Sequence, residues 1–186
     1  MDDSRSIKNS EFTQMKKFII DLVYRFNISR EQTRVALVQF SSKKFTRVEF
    51  YLNQYYDKES LMNRINSLRQ RDGGSTYTDH ALRMARDQVF NGKNGDRPNV
   101  RDVIVLLTDG QSHDNDAAIA EARLLRDDDV SIISIGVGQG EEKEKLIKFL
   151  TSLSFGSDYV FKVSFANLET IIDGVTTAAC ENLQEM

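Results

Sequence analysis

Apolar residues recur along this chain in two alternating patterns, one typical of helices and the other typical of strands. Residues 11–26 place Phe, Met, Ile, Leu and Val at steps of three and four, which predicts an amphipathic helix. Residues 34–40 (RVALVQF) are short, apolar and partly β-branched, which favours a strand. Residues 45–52 alternate between apolar and polar, so they predict its antiparallel neighbour across a turn at residues 41–43.

The same alternation continues along the chain. We predict further helices at residues 58–68, 78–89, 116–126, 142–150 and 168–183, and strands at residues 103–107, 130–135 and 159–163. Because helices and strands take turns, the predicted fold class is α/β, with a Rossmann-like, mostly parallel central sheet and helices on both faces. One antiparallel edge strand is expected near Phe45. The 186 residues fit a single domain.

The amino-acid composition indicates which classes of partner this chain is expected to bind. Apolar residues make up 40% and charged residues 28% of the chain, as in folded soluble domains. The net charge of -3 gives no basic footprint, so we expect no nucleic-acid partner. No apolar run approaches the roughly 20 residues that a membrane span needs, so we expect no membrane insertion.

Three loops rich in side-chain oxygen fall where an open parallel sheet gathers its ligands, at the carboxyl ends of strands and the starts of helices. They are Asp2-Asp3-Ser4-Arg5-Ser6, Gly73-Gly74-Ser75-Thr76-Tyr77-Thr78 and Thr108-Asp109-Gly110. Hard oxygen ligands with few carboxylates suit Mg²⁺, with Mn²⁺ or Ca²⁺ as alternatives. Taken singly, each loop also has a plain structural interpretation, as a helix N-cap, a turn or an ordinary loop hydroxyl.

The set of motifs resembles a known family. Asp2-x-Ser4-x-Ser6, then Thr76, then Asp109 in a TDG turn resemble the metal-ion-dependent adhesion site (MIDAS) of von Willebrand factor type A domains. The segments RVALVQFS, GGSTYTDHAL and VIVLLTDGQS also resemble that family, most of all the matrilin- and collagen-type domains of the extracellular matrix. The resemblance covers essentially the whole chain.

The resemblance implies a function and a set of roles. Asp2, Ser4, Ser6, Thr76 and Asp109 would hold the cation, and an acidic side chain of a protein ligand would complete its coordination. The residues expected on the ligand-binding rim are Asp3, Arg5, Tyr77, Asp79 and Gln111. Asp79 stands where relatives often have Gly, and with Asp3 its negative charge would favour Ca²⁺ or a basic rim on the ligand.

The expected function is therefore divalent-cation-dependent adhesion to a matrix or cell-surface protein such as a collagen, from a secreted protein of the extracellular matrix. Self-association within a larger multidomain protein is a further expectation. The alternatives are a structural or assembly module that binds partners without metal, and an intracellular A domain of a multi-subunit complex. Catalysis is not expected, because the chain has no phosphate-binding GxxxxGK[ST] motif and no recognisable catalytic triad.

Two single residues carry secondary expectations. Asn27-Ile28-Ser29 is a glycosylation sequon, which a secreted protein can use. Cys180 is the only cysteine, so it cannot form an internal disulfide. In many secreted relatives a cysteine after the last helix pairs with one before the first strand, so the resemblance implies an upstream partner for Cys180.

One departure from the family concerns the start of the domain. In the family an apolar strand in the middle of the sheet runs into the DxSxS motif, whereas only Met1 precedes Asp2 here. Without that strand its two neighbours lose hydrogen-bonding partners, and buried unpaired backbone groups are costly. We therefore expect the natural protein to extend upstream with this strand.

Overall fold

Six α-helices and five β-strands are present in residues 1–71, 73–138, 143–154 and 156–181, the ranges that this computed structural model describes. The helices are α1 (Asn9–Tyr24), α2 (Lys58–Asn66), α3 (Thr78–Met84), α4 (Asn115–Asp127), α5 (Lys143–Leu153) and α6 (Ile172–Glu181). The strands are β1 (Leu37–Gln39), β2 (Arg47–Phe50), β3 (Val103–Thr108), β4 (Ser131–Val137) and β5 (Val160–Val163). The predicted α/β fold class is confirmed.

The strands form a parallel sheet and a separate antiparallel pair. β3 pairs with β4 and β4 with β5, all parallel, while β1 pairs with β2 in antiparallel register. The predicted antiparallel edge strand near Phe45 is therefore β2.

Three predicted elements differ in detail. The strand predicted at residues 34–40 is regular only over Leu37–Gln39, because one of its edges faces a cavity rather than a neighbouring strand. The helix predicted at residues 78–89 ends in a π-helical turn at Ala85–Val89. The helix predicted at residues 168–183 begins as a 3-10 helix at Phe165–Ile171, and Glu142 and Leu183 lie outside the described residues.

Two hydrophobic layers cover the parallel sheet. Leu107 and Ile133 pack on one face with apolar residues of α1, α2 and α6, whereas Leu106 and Ile132 pack on the other face with α3, α4 and α5. This alternation explains why β3 and β4 are apolar at consecutive positions, since successive side chains point to opposite faces. Within the described ranges, no helix combines the length and the apolar character that a membrane crossing requires.

Residues 1–3 lie between the two sheets and join them at one end. The Asp2 amide donates to the Leu107 carbonyl (2.9 Å), the Phe40 amide donates to the Met1 carbonyl (3.1 Å), and the Asp3 amide donates to the Phe40 carbonyl (2.7 Å). Asp2 and Phe40 thus form a parallel bridge. This link positions the first oxygen-rich loop between the carboxyl ends of β1 and β3.

Beyond Met1 the space between β1 and β3 is a cavity of about 440 Å³. Side chains of both strands line it, and helices cover it on the two faces: Phe18 and Leu22 belong to α1, and Leu82 belongs to α3. The α-amino group of Met1 is buried at the cavity and donates to the Val38 carbonyl (2.9 Å). Burial lowers the pKa of this amine to about 5.

Candidate metal centre

Asp2 is the most deeply fixed of the predicted ligands. Its side chain is fully buried, and its carboxylate accepts hydrogen bonds from the Ser4 amide (2.8 Å) and the Thr108 hydroxyl (2.5 Å). Burial raises the pKa of Asp2, while the two hydrogen bonds oppose that rise. One donor is a backbone amide and the other is a hydroxyl on the last residue of β3, so the orientation of this carboxylate is set before any ligand arrives.

A line of hydrogen bonds connects three further predicted ligands. The Ser4 and Ser6 hydroxyls lie 3.0 Å apart, and the Ser6 hydroxyl donates to the Asp109 carboxylate at 3.0 Å. Burial, followed by the negative charge of Asp2, raises the pKa of Asp109 to about 6. The structure therefore brings Asp2, Ser4, Ser6 and Asp109 together, although Ser6 and Asp109 are separated by 103 positions in sequence.

Backbone hydrogen bonds bring the Thr76 loop against the other two loops. The Arg5 amide donates to the Gly74 carbonyl (3.2 Å), and the His113 amide donates to the Thr76 carbonyl (2.6 Å). Thr76 is half-buried between these contacts. The three loops that the sequence singled out thus meet at the carboxyl end of the sheet.

The predicted rim is wrong for its two acidic members. Asp3 is buried, where its carboxylate accepts from the Gln39 side-chain amide (2.6 Å) and the Arg71 backbone amide (3.0 Å). Asp79 is also buried, at 5% exposure in the first turn of α3. Both residues lie beside the motif in sequence, but in the folded chain their side chains point into the protein.

The other predicted rim residues remain accessible. Arg5 and Gln111 are exposed and Tyr77 is half-buried. The Gln111 side chain donates to the Lys145 carbonyl (3.2 Å), so it contacts the start of α5. Whether these three residues contact a ligand remains a prediction.

Sequence reasoning placed Thr108 in the TDG turn without giving its hydroxyl a role, and it missed the contacts of Gln39 and His113. Thr108 directly precedes Asp109 and is the last residue of β3, so alternation along the strand is the signal that could have placed its hydroxyl toward Asp2. Gln39 and His113 lie far in sequence from the residues that they contact, and nothing local marks them.

The residues present fit a divalent cation. The negative charge of Asp2 raises the pKa of the Asp109 carboxyl, and burial raises the pKa of both carboxyls. A cation among these oxygens would offset both effects. Two carboxylates with the Ser4 and Ser6 hydroxyls form an all-oxygen donor set, as hard cations prefer. In the described part of the chain no group of three or more His, Cys, Asp or Glu side chains offers a competing site.

Two predicted modification sites lie away from this centre. The Asn27 side chain is exposed after the end of α1, so glycosylation there stays a prediction. Cys180 is a free, half-buried thiol in α6.

The family model for the von Willebrand factor type A domain matches residues 1–174. The chain belongs to the von Willebrand factor type A family. Curated relatives include the collagen alpha-1(XX) chain of Mus musculus, which is 32% identical over 184 residues, and the collagen alpha-6(VI) chain of Homo sapiens, which is 32% identical over 185 residues. Matrilin-1 of Gallus gallus is 31% identical over 173 residues. The resemblance to collagen- and matrilin-type domains is confirmed.

The chain covers only part of these relatives. It aligns over 99%, 98% and 92% of its own length, but spans 13%, 8% and 33% of the three proteins respectively. The similarity therefore concerns one type A domain within much longer matrix proteins.

Solved structures agree with this assignment. Proximal thread matrix protein 1 of the mussel byssus superposes with a TM-score of 0.88 at 30% identity, covering 97% of this chain and 46% of that one. A crystal structure of the same protein has a zinc-occupied MIDAS motif. The manganese-loaded TRAP protein of Plasmodium vivax superposes with a TM-score of 0.74, covering 94% of this chain and 70% of that one; at 19% identity this likeness bears on the fold.

Proposed function

We propose that this von Willebrand factor type A domain is a divalent-cation-dependent protein-binding module of the extracellular matrix or cell surface, and not an enzyme. The observation that carries the proposal is the line of oxygen atoms from Asp2 through Ser4 and Ser6 to Asp109, built from two separate loops. Its relatives among collagens and matrilins support the extracellular setting, and hence secretion.

In this proposal Asp2, Ser4, Ser6, Thr76 and Asp109 hold the cation. We propose Mg²⁺, with Mn²⁺ or Ca²⁺ as alternatives, because each prefers oxygen ligands. The zinc-occupied MIDAS motif of the mussel protein supports a divalent cation without favouring Mg²⁺. Bound there, the cation supplies a fixed positive centre that an acidic side chain of the partner can ligate.

The chain's own residues supply rigidity to this centre. Thr108 and the Ser4 amide fix the Asp2 carboxylate, and Ser6 fixes that of Asp109. A preorganised site loses little conformational freedom when a partner binds. Neutral serine hydroxyls leave the net charge of the ligand set low, so an incoming carboxylate still gains electrostatic energy.

Binding to immobilised matrix proteins, with collagens as the first panel, tests the proposal. We expect binding in Mg²⁺ that is lost in EDTA and lost in Asp109→Ala and Ser6→Ala. The matched control is Asp21→Ala, which removes an exposed carboxylate of α1 paired with Lys17. Binding that persists in EDTA and in Asp109→Ala would contradict the proposal and favour a metal-independent assembly module.

Metal binding is measured separately from partner binding. A cation that binds only the folded chain raises its unfolding temperature by mass action. We expect Mg²⁺ to raise the melting temperature of the wild type and of Asp21→Ala, with no shift for Asp109→Ala. No shift in the wild type at millimolar Mg²⁺ would refute the metal site.

A further inference from the structure

Four exposed positive side chains lie on the loops of the metal centre or on the turn that is hydrogen-bonded to them. Arg5 lies in the first loop, Arg71 precedes the Thr76 loop, and Lys43 and Lys44 occupy the turn between β1 and β2; all four side chains are exposed. We call these four residues the cationic rim. Its sign is opposite to the one that Asp3 and Asp79 suggested, because those two carboxylates are buried.

The loops that carry the cationic rim are in contact with one another. The Tyr77 amide donates to the Ser41 carbonyl (2.9 Å), which ties the Thr76 loop to the β1–β2 turn. A Cβ at Gly73 would lie 1.8 Å from the Ser41 hydroxyl, so only glycine allows the two loops to pack this closely. The Arg5 amide donates to the Gly74 carbonyl, which ties the same loop to the DxSxS segment.

Aromatic rings extend this surface beside the metal centre. The Lys43 ammonium lies 5.2 Å from the centre of the Tyr77 ring, and the Tyr77 and His113 rings lie 4.8 Å apart. His113 is exposed and its amide is bonded to Thr76, a predicted metal ligand. Within the described ranges Lys43 and Lys44 contact aromatic rings and form no ion pair with a carboxylate.

Two acidic residues on the neighbouring helices α1 and α4 already accept hydrogen bonds from backbone amides. Glu11 accepts from the Lys8 amide at the start of α1 (2.8 Å), and Asp114 accepts from the Ala117 amide at the start of α4 (2.9 Å). Asp116 is exposed in the first turn of α4. These three carboxylates belong to α1 and α4, whereas the β1–β2 turn presents only Lys43 and Lys44 as charged residues.

We infer that the partner presents an acidic peptide segment with at least two carboxylates, one for the metal centre and another for Lys43, Lys44 and the Tyr77–His113 rings. The inference rests on the proposed function and adds the chemistry of the partner to it. Charge complementarity next to a fixed anchoring point sets the orientation of the segment and speeds its association.

A protein segment fits this surface better than a long polyanionic polysaccharide. The four residues of the cationic rim lie at one end of the sheet, and the whole chain has a net charge of -3. A long polyanion gains from an extended basic stripe, whereas a short acidic peptide needs only a local patch. The half-buried Tyr77 ring and the exposed His113 ring also offer apolar contact that a peptide side chain can use.

The test uses two synthetic peptides of equal length. One contains a single glutamate among glycines and serines. The other has the same glutamate and two more, placed two and four residues after it. Dissociation constants are measured in Mg²⁺ for the wild type, for Lys43→Ala/Lys44→Ala and for Lys93→Ala. Lys93 is exposed in the segment between α3 and β3 and is not part of the cationic rim, so it is the matched control.

For the wild type and Lys93→Ala we expect the triglutamate peptide to bind about tenfold tighter than the single-glutamate peptide at low salt. The preference should shrink as salt screens the rim, and it should fall to about twofold or less in Lys43→Ala/Lys44→Ala. Binding of the single-glutamate peptide should change little in that double variant.

The outcomes separate the two proposals. If the single-glutamate peptide binds in Mg²⁺ without any preference for the triglutamate peptide, or if the preference survives the double substitution, this inference is wrong and the proposed function stands. If neither peptide binds although Mg²⁺ stabilises the chain, the carboxylate-ligation step itself fails, and with it both proposals. Heparin is added as a competitor, with sodium chloride of equal ionic strength as its control. If heparin displaces the triglutamate peptide and the chloride control does not, the inference is overturned in favour of a sulfated polysaccharide.

Discussion

The hydroxyl of Thr108 donates a 2.5 Å hydrogen bond to the buried carboxylate of Asp2. The two residues are 106 positions apart, yet both sit at the junction between residues 1–3 and the end of β3. The bond fixes the first predicted metal ligand to the most regular strand pair of the sheet. A residue of the TDG turn that is not itself a predicted metal ligand therefore orients the Asp2 carboxylate.

Replacing Thr108 tests this role. Thr108→Val keeps the shape of the side chain but leaves the Asp2 carboxylate without one of its donors. We expect a loss of about 1–3 kcal/mol in the free energy of unfolding, measured by urea denaturation. Mg²⁺ should also stabilise the variant less than the wild type. Thr108→Ser retains the hydroxyl and should keep most of both properties; equal losses in the two variants would show that the effect is not specific to the hydroxyl hydrogen bond.

Asp3 is expected to act on stability rather than on ligand contact. Asp3→Ala removes the acceptor for the Gln39 side chain and the Arg71 amide, both of which lose a partner. We expect the free energy of unfolding to fall by about 2–4 kcal/mol, because buried donors without acceptors are costly. Asp21→Ala, on the exposed face of α1, should cost far less. If Asp3→Ala left the free energy of unfolding unchanged but weakened ligand binding, Asp3 would act as a rim residue after all.

The cavity between β1 and β3 is large enough to be tested by an added segment. We propose that an apolar strand added upstream of Met1 would occupy it, because the edges of β1 and β3 flank the space and apolar side chains line it. A chain extended upstream by about six Val, Ile and Leu residues should have a higher melting temperature and bind Mg²⁺ more tightly. Each buried apolar side chain contributes about 1.5–3 kcal/mol.

The matched control for this extension has the same length but places Lys and Gln at alternate positions. Polar side chains cannot enter the apolar cavity without losing their hydration, so this chain should melt at about the temperature of the unextended one. Equal melting temperatures for all three chains would contradict the proposal.

The pH dependence of stability should respond to Asp102, at the end of β3 remote from the metal centre. Burial, followed by the charge of Asp96, raises the pKa of Asp102 from 3.8 to about 7, with Arg97 opposing the rise. The folded chain therefore keeps a proton that the unfolded chain releases. The stability that Asp102 contributes is fully present below about pH 4 and is lost as the pH rises through about 7.

Asp102→Asn removes this titration. Relative to the wild type, we expect the variant to gain more stability at about pH 8 than at about pH 5, measured by urea denaturation at both. The comparison is made with the wild type at each pH because the buried Met1 amine, whose pKa is lowered to about 5, acts in the opposite direction over the same range. Asp158→Asn, at an exposed position, is the control; the same pH-dependent gain in both variants would refute the role of Asp102.

The sequence by itself determined the order of the elements and the chemistry of the centre. Apolar spacing marks the face that each helix buries, and the continuous apolar runs of β3 and β4 mark strands covered on both sides. The DxSxS and TDG motifs identify the ligand-bearing loops because each lies beside the start of a helix or the end of a strand. These are local signals, and local physics is enough to read them.

The tertiary structure alone decided which charges reach the surface and how the ligands are held. Asp3 and Asp79 stand beside the motif, yet contacts with Gln39 and the packing of α3 bury them, while Lys43 arrives at the rim through a turn some 40 residues away. Thr108 supports Asp2 only because backbone bonds align residues 1–3 with β3. Such contacts depend on how distant segments pack, and burial, unlike local spacing, is a property of the whole fold.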